Sequence, residues 1–143
     1  MIRLCLALSL LAAPLGAQEV QGWDLLAGAG VSEAGAGADL RLVKTFPPEL
    51  VAAAEDFTIS GYLVPVLAEP FIDSFLLVPD PADCPFCGNG GYGPSLEVDM
   101  KRALPDLPEG TYLALHGRLQ LNHDSDSYDL FRLVDAVRVD TGG

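Results

Sequence analysis

The residues best suited to chemistry are two cysteines in the stretch CPFCGNGGYG, residues 84–93. Cys84 and Cys87 have the Cys-x-x-Cys spacing found in thiol–disulfide enzymes, zinc sites and disulfide-closed turns. The third cysteine, Cys5, lies in an N-terminal segment that we expect to be removed. Cys84 and Cys87 would then be each other's only intramolecular partner, and in an oxidising compartment we expect a disulfide that closes this glycine-rich loop.

A redox function is the first alternative for this cysteine pair. Thioredoxin-type cysteines are activated at a helix N-terminus, where the helix dipole favours the thiolate. Here Cys87 is followed by Gly-Asn-Gly-Gly-Tyr-Gly-Pro, which does not favour a helix. The local sequence therefore lacks this activating feature, and a thiol–disulfide redox protein remains an alternative hypothesis.

Metal binding is the second alternative. A structural zinc site takes four ligands and a catalytic site takes three and a water molecule, whereas one Cys-x-x-Cys pair supplies two. The chain has only two histidines, so the largest soft-ligand set is Cys84, Cys87, His116 and His123. Zinc is the candidate cofactor for this set. An ordinary surface histidine is the usual explanation for His116, because it falls on the outer face of a predicted strand.

An acidic segment follows His116 along the chain. The stretch NHDSDSYD, residues 122–129, offers several aspartate oxygens. A helix-flanked calcium loop needs a glycine at its sixth position and a later bidentate glutamate, but Tyr128 occupies that region. We therefore expect a solvated hairpin turn. No other part of the sequence resembles a catalytic set, so we expect a protein that is not an enzyme.

The N-terminus has the features of a secretory signal peptide over residues 1–17. Arg3 precedes an apolar run, residues 4–13, which is far shorter than the roughly 20 residues that span a bilayer. We predict cleavage after Ala17 and a periplasmic location. Cys5 lies inside the apolar run rather than after it, so we expect neither a lipid nor another membrane anchor.

The overall charge limits the choice of partners. The net charge at pH 7 is −12. Such a surface repels phosphate backbones and anionic lipids, so we expect no nucleic-acid partner. It favours metal ions or an unidentified envelope protein as partners, although acidic surfaces also serve solubility alone.

The elements that would position these residues begin after an N-terminal arm and flexible linker, residues 18–39. Trp23, Leu25 and Leu26 are expected to dock on the domain. Residues 27–39 consist mostly of small side chains without an apolar period, which predicts a mobile linker. The stretch PPELVAAAED, residues 47–56, predicts one short helix, because proline and an acid stand at its start.

Residues 40–143 are predicted to form one all-β domain. Alternating apolar residues predict five strands, at residues 57–67, 71–78, 96–100, 111–121 and 130–139. In the last of these strands Leu133, Val137 and Val139 are expected to face inward, and in the first Gly61 marks a bend. The order predicts a small five-stranded antiparallel barrel that is OB-like, that is, of the oligonucleotide/oligosaccharide-binding type. An immunoglobulin-like sandwich is less favoured because it needs about seven strands.

The sequence resembles a family of exported bacterial proteins of unknown function over residues 46–139. The family pattern is a Gly-Tyr-x-x-Pro strand, a Phe-Leu-Leu-Val-Pro strand and a cysteine-bearing loop. The matching positions here are Gly61, Tyr62, Pro65, Phe75, Leu76, Leu77, Val78, Pro79 and Cys84. Many relatives place a histidine and a proline run after the first cysteine, where this chain has Pro85, Phe86 and Cys87. The resemblance implies an exported barrel without catalytic features, tied to metal or envelope transport.

Three hypotheses for function follow. The first is a periplasmic accessory or binding protein that binds a transition metal through the Cys-x-x-Cys loop. The second is a thiol–disulfide redox protein, and the third is a structural interaction module in which a disulfide only shapes the loop.

Overall fold

The computed structural model describes residues 16–83 and 94–140. Within these residues the α-helices are α1 (Gly16–Ala27) and α2 (Pro48–Ala53), and α2 agrees with the short helix predicted at residues 47–56. The strands are β1 (Gly30–Ala34), β2 (Arg41–Thr45), β3 (Phe57–Pro65), β4 (Phe71–Val78), β5 (Leu96–Pro105), β6 (Tyr112–Leu121) and β7 (Phe131–Arg138).

Strands β3 to β7 form a closed barrel in the order β3-β4-β5-β7-β6. The five predicted barrel strands are confirmed, although β5 continues five residues beyond its predicted end. Strand β3 pairs with β6 over residues 57–62 and with β4 over residues 62–65. Gly61 lies where the two pairings meet, and a Cβ atom there would come within 2.5 Å of the Val78 carbonyl oxygen. The close approach explains why a glycine occupies this bend.

One ladder of the barrel is parallel, so the prediction of an antiparallel barrel is wrong at this point. Strand β5 pairs with β7 in parallel, with Glu97 opposite Arg132 and Val98 opposite Leu133. The other four ladders are antiparallel. The alternation of apolar residues indicates which face of a strand is buried, but it carries no information on which strand lies beside it.

The barrel core consists of inward-facing side chains from all five strands. Fully buried members include Phe57, Ile59, Leu63, Phe75, Leu77, Val98, Leu113, Leu115, Leu133 and Ala136. In β7 the register shifts at Asp135, whose φ is +53°. Because a bulge moves the following residues to the opposite face, Ala136 is buried, whereas Val137 is 40% and Val139 38% exposed. The inward positions expected for Val137 and Val139 are therefore wrong.

The N-terminal residues dock on the barrel as expected from their apolar side chains. Leu26 in α1 is buried, and Trp23 and Leu25 pack against the same core. The indole Nε1 of Trp23 donates a hydrogen bond of 2.8 Å to the carbonyl oxygen of Ser60 in β3. Helix α1 begins at Gly16, so the predicted cleavage site after Ala17 lies in its first turn. Cleavage and export stay predictions.

The segment expected to be a linker contains a strand. Strand β1 pairs antiparallel with β2, from Gly30 opposite Thr45 to Ala34 opposite Arg41. Backbone pairing needs no apolar period, so the small side chains of residues 27–39 did not reveal it. The mobility of this segment stays a prediction. None of the helices in the described part of the chain has the length and apolar character needed to cross a membrane.

Candidate functional site

Two connections leave the barrel from one end, which we call the loop end and define by Val78, Leu96, Leu121 and Phe131. Strand β4 ends here, β5 begins opposite it, β6 ends here and β7 begins here. The connections 79–95 and 122–130 therefore start and finish at this end. Strand β7 separates β5 from β6, and neighbouring strands are about 4.8 Å apart, so the start of β5 lies roughly 10 Å from the end of β6.

A polar cleft of about 210 Å³ opens at the loop end. Its walls come from the start of β5, the end of β6, the start of β7 and the loop between β6 and β7. The residues lining the polar cleft are Glu97, Gln120, Leu121, Asn122, Asp129, Phe131 and Arg132. The combination of amide, carboxylate, guanidinium and one aromatic ring suits a polar ligand.

An ion-pair network joins two lining residues of the polar cleft, Glu97 and Arg132, to Asp99. Arg132 in β7 contacts Glu97 at 2.8 Å and Asp99 at 3.2 Å, both in β5. Partial desolvation lowers the pKa of Arg132, but the charges of Glu97 and Asp99 and their hydrogen bonds outweigh it, so the net shift is upward. Two carboxylates face one cation, so the network carries a formal charge of about −1 and favours cationic or hydrogen-bond-donating ligands.

The loop between β6 and β7 is held by its own side chains. The Asn122 side chain accepts a hydrogen bond from the backbone N–H of Asp124, and the Asp124 carboxylate accepts one from the N–H of Asp126, each at 2.9 Å. This pattern is typical of a turn and agrees with the predicted hairpin turn. The β1–β2 hairpin supports the loop, because Lys44 Nζ donates to the carbonyl oxygen of Asp129 at 2.7 Å.

The structure does not bring the two predicted histidine ligands together. His116, in the middle of β6, contacts the carboxylate of Asp56. The ring of His123 packs edge-on against Phe46, with 5.1 Å between the ring centroids. Five residues of strand separate His116 from the end of β6, a span of about 17 Å. No group of three or more His, Cys, Asp or Glu side chains in residues 16–83 and 94–140 is arranged to hold a metal ion.

The predicted cysteine ligands, Cys84 and Cys87, lie outside the described residues. Their disulfide and their role as ligands stay predictions. The structure describes both ends of the connection that carries them, and those ends lie at the loop end, on the same side of the barrel as His123.

No family model, curated protein or solved structure matches this chain. The resemblance to an exported bacterial family stays a prediction.

Sequence reasoning missed the ion-pair network of the polar cleft. Glu97 and Asp99 were recognisable as two acids on the outer face of one strand, because they are two residues apart in LEVDM. Their partner Arg132 is 33 residues beyond Asp99 and comes beside it only through the parallel ladder. The charge pattern along one strand therefore contains only the two acids and gives no indication of Arg132.

Proposed function

We propose that the protein is an exported, periplasmic accessory or binding protein built on an OB-like barrel, and that it binds a transition metal at the loop end. The proposal treats the protein as a binding module rather than an enzyme. The observation that carries it is that the cysteine-bearing connection 79–95 and the loop with His123 leave the barrel at the same end, on either side of a polar cleft of net negative character.

The strand order supports the OB-like assignment. The first three barrel strands follow one another as neighbours, and the fifth lies between the third and the fourth. This is a Greek-key arrangement in a small five-stranded barrel, which is the description of an OB fold. In that fold ligands bind at loops on the barrel, including the loop between the fourth and fifth strands. Here the corresponding loop, residues 122–130, lines the polar cleft.

The ligand chemistry supports a soft metal ion. Thiolate and imidazole select zinc and other transition metals over the hard cations that prefer oxygen. Of the two histidines, we assign His123 as the third ligand beside Cys84 and Cys87, since it lies in the loop at this end. His116 faces Asp56 instead. The carboxylates of Glu97 and Asp99 raise the local concentration of cations without being ligands themselves.

A zinc titration of the reduced mature protein tests this function. Competition with a chromophoric chelator should give one zinc ion per chain, and the double variant C84S/C87S should lose binding. His123→Ala should weaken it by at least about tenfold, equivalent to 1.4 kcal/mol, whereas the matched variant His116→Ala should bind zinc like the wild type.

Three results would contradict the proposal. A disulfide that persists in the protein as isolated, together with no zinc uptake after reduction, would support the structural module. Rapid and reversible thiol exchange with a depressed thiol pKa would support the redox protein. Equal zinc binding by wild type and C84S/C87S would remove the cysteines from the site.

A further inference from the structure

A second cleft, which we call the basic cleft, lies between β5 and β7 at the end of the barrel opposite the loop end. Its volume is about 380 Å³, within the usual size range of ligand pockets. The residues lining the basic cleft are Met100, Lys101, Arg102, Ala103, Leu104, Ala136, Val137 and Arg138.

The basic cleft exists because β5 and β7 separate. Their parallel ladder ends with Met100 opposite Ala136, and beyond that point Val137 and Arg138 pair only with β6, on the other edge of β7. On the side of β5 that faces β4, Asp99 pairs with Ser74 and Leu104 pairs with Ile72. The four residues between them, 100–103, pair with no residue of β4. Within the described chain, residues 101–103 therefore have no ladder partner on either neighbouring strand. They form an irregular, exposed stretch of β5 whose backbone is not taken up by either neighbouring ladder.

The charge of the basic cleft is opposite to that of the protein. Lys101, Arg102 and Arg138 are three of the eight Lys and Arg residues in a chain of net charge −12. All three are exposed, and no carboxylate among residues 16–83 and 94–140 forms a salt bridge with any of them. By contrast, Arg118 and Arg132 have carboxylate partners. The three cations of the basic cleft therefore have no direct carboxylate partner in the described chain, which favours an anionic ligand there.

The cations are interleaved with apolar side chains. Met100 and Leu104 pack partly against the core, and Val137 is 40% exposed. A bare inorganic anion would leave this apolar surface in water. A peptide that alternates acidic and apolar residues would cover it and would neutralise the cations at the same time.

We propose that the basic cleft binds an extended acidic peptide segment of a partner protein, added as a strand beside residues 101–103. Backbone groups of the added strand supply hydrogen bonds, and its carboxylates pair with Lys101, Arg102 and Arg138. Single-stranded nucleic acid fits less well, since the lining residues include no aromatic ring on which a base could stack. The inference does not depend on metal binding, because the basic cleft lies at the opposite end of the barrel.

The probe is a fluorescein-labelled peptide of about eight residues that alternates Glu and Val, compared with the same peptide carrying Gln for Glu. Fluorescence anisotropy is measured with the mature protein at about 25 mM and about 300 mM NaCl, since an electrostatic contribution falls with salt. We expect the Glu peptide to bind at least about tenfold more tightly than the Gln peptide at low salt, and this preference to shrink at high salt.

Charge reversal locates the binding. The variant R102E/R138E should lose at least about tenfold in affinity for the Glu peptide. Arg138→Glu alone should also lose affinity, and its matched control is Arg41→Glu, a single reversal of an exposed cation in β2 without a salt bridge to the described residues, which should bind within about twofold of the wild type. Circular dichroism and the thermal midpoint verify that each variant is folded.

Several outcomes would overturn the proposal. Equal binding of the Glu and Gln peptides, or equal loss in R102E/R138E and Arg41→Glu, would remove the specific role of the basic cleft. Tighter binding of a single-stranded oligonucleotide or of polyphosphate than of the Glu peptide would show that the ligand class is wrong. Self-association of the peptide-free protein that R102E/R138E abolishes would identify a second copy of this chain as the occupant.

Discussion

The polar cleft and the basic cleft lie at the two ends of the same strand pair, β5 and β7. They differ in whether their arginine side chains have carboxylate partners. At the loop end the ladder is intact, and it sets Arg132 beside Glu97 and close to Asp99. At the other end the ladder has stopped, and Arg102 and Arg138 have no salt-bridge partner within residues 16–83 and 94–140. Paired strands thus neutralise a charge locally, whereas separated strands leave it available to a ligand.

The comparison also shows why net charge is a poor guide to partners. The value of −12 describes the whole chain and predicts cationic ligands. The basic cleft is a local exception, because three cations converge there and none of them forms a salt bridge within residues 16–83 and 94–140. We therefore expect each cleft to select a ligand by its own surface.

The largest expected effect comes from a change that disturbs the barrel and hence both clefts. Gly61→Ala should lower the free energy of unfolding by about 2–3 kcal/mol, because the new Cβ would meet the Val78 carbonyl oxygen, a backbone atom that cannot move away cheaply. Denaturant unfolding followed by circular dichroism measures it. Gly30→Ala is the control, since its Cβ would come only within 3.3 Å of the Thr45 hydroxyl, and a change above about 1 kcal/mol there would weaken this explanation.

A smaller effect on the free energy of unfolding distinguishes the arginine of the polar cleft from an arginine of the basic cleft. Arg132→Met should cost about 1 kcal/mol, because it removes two partly exposed ion pairs and leaves Glu97 and Asp99 facing each other. Arg102→Met should change the unfolding free energy by less than about 0.5 kcal/mol, as it removes no salt bridge within the described residues. In about 1 M NaCl the cost of Arg132→Met should shrink. Similar costs for both variants would contradict the difference in pairing.

The smallest effect concerns the contact that holds the β1–β2 hairpin beside the loop end. The Tyr128 hydroxyl donates a hydrogen bond to the Glu33 carboxylate, and this bond and the charge of Glu33 raise the pKa of Tyr128. Since the folded pKa is raised, the contact is present below the ordinary tyrosine pKa of about 10 and is lost as the pH rises through the folded value. A ¹³C NMR titration should find Tyr128 titrating at higher pH in the wild type than in Glu33→Gln, and coincident curves would refute the contact.

The parts of the fold that sequence predicted are those fixed by local patterns. Alternating leucines located β6, and the proline pair with Glu49 located α2. The parts it missed depend on non-local pairing. The parallel ladder joins Glu97 to Arg132 across 35 positions, and the bulge at Asp135 moved Val137 outward without any change in the apolar period.

For the candidate sites, too, local sequence patterns were recognisable, whereas contacts between distant residues were not. The cysteine pair and the two histidines were recognisable as residue types, but their spacing gave no distances, and the structure places His116 against Asp56 rather than beside His123. The basic cleft had no sequence signature, because Arg102 and Arg138 are far apart along the chain. They meet only because β7 returns to lie beside β5.

Amide NMR of the mature reduced protein, titrated first with Zn²⁺ and then with the alternating Glu-Val peptide, tests the separation of the two ends most directly. Zinc should shift the amide signals of residues 122–129 and of Glu97 and leave those of residues 101–103 and 137–138 in place. The peptide should shift the signals of residues 101–103 and 137–138 and leave those of residues 122–129 and of Glu97 in place. Overlapping sets of shifted residues, or a peptide response centred on the loop end, would contradict the account.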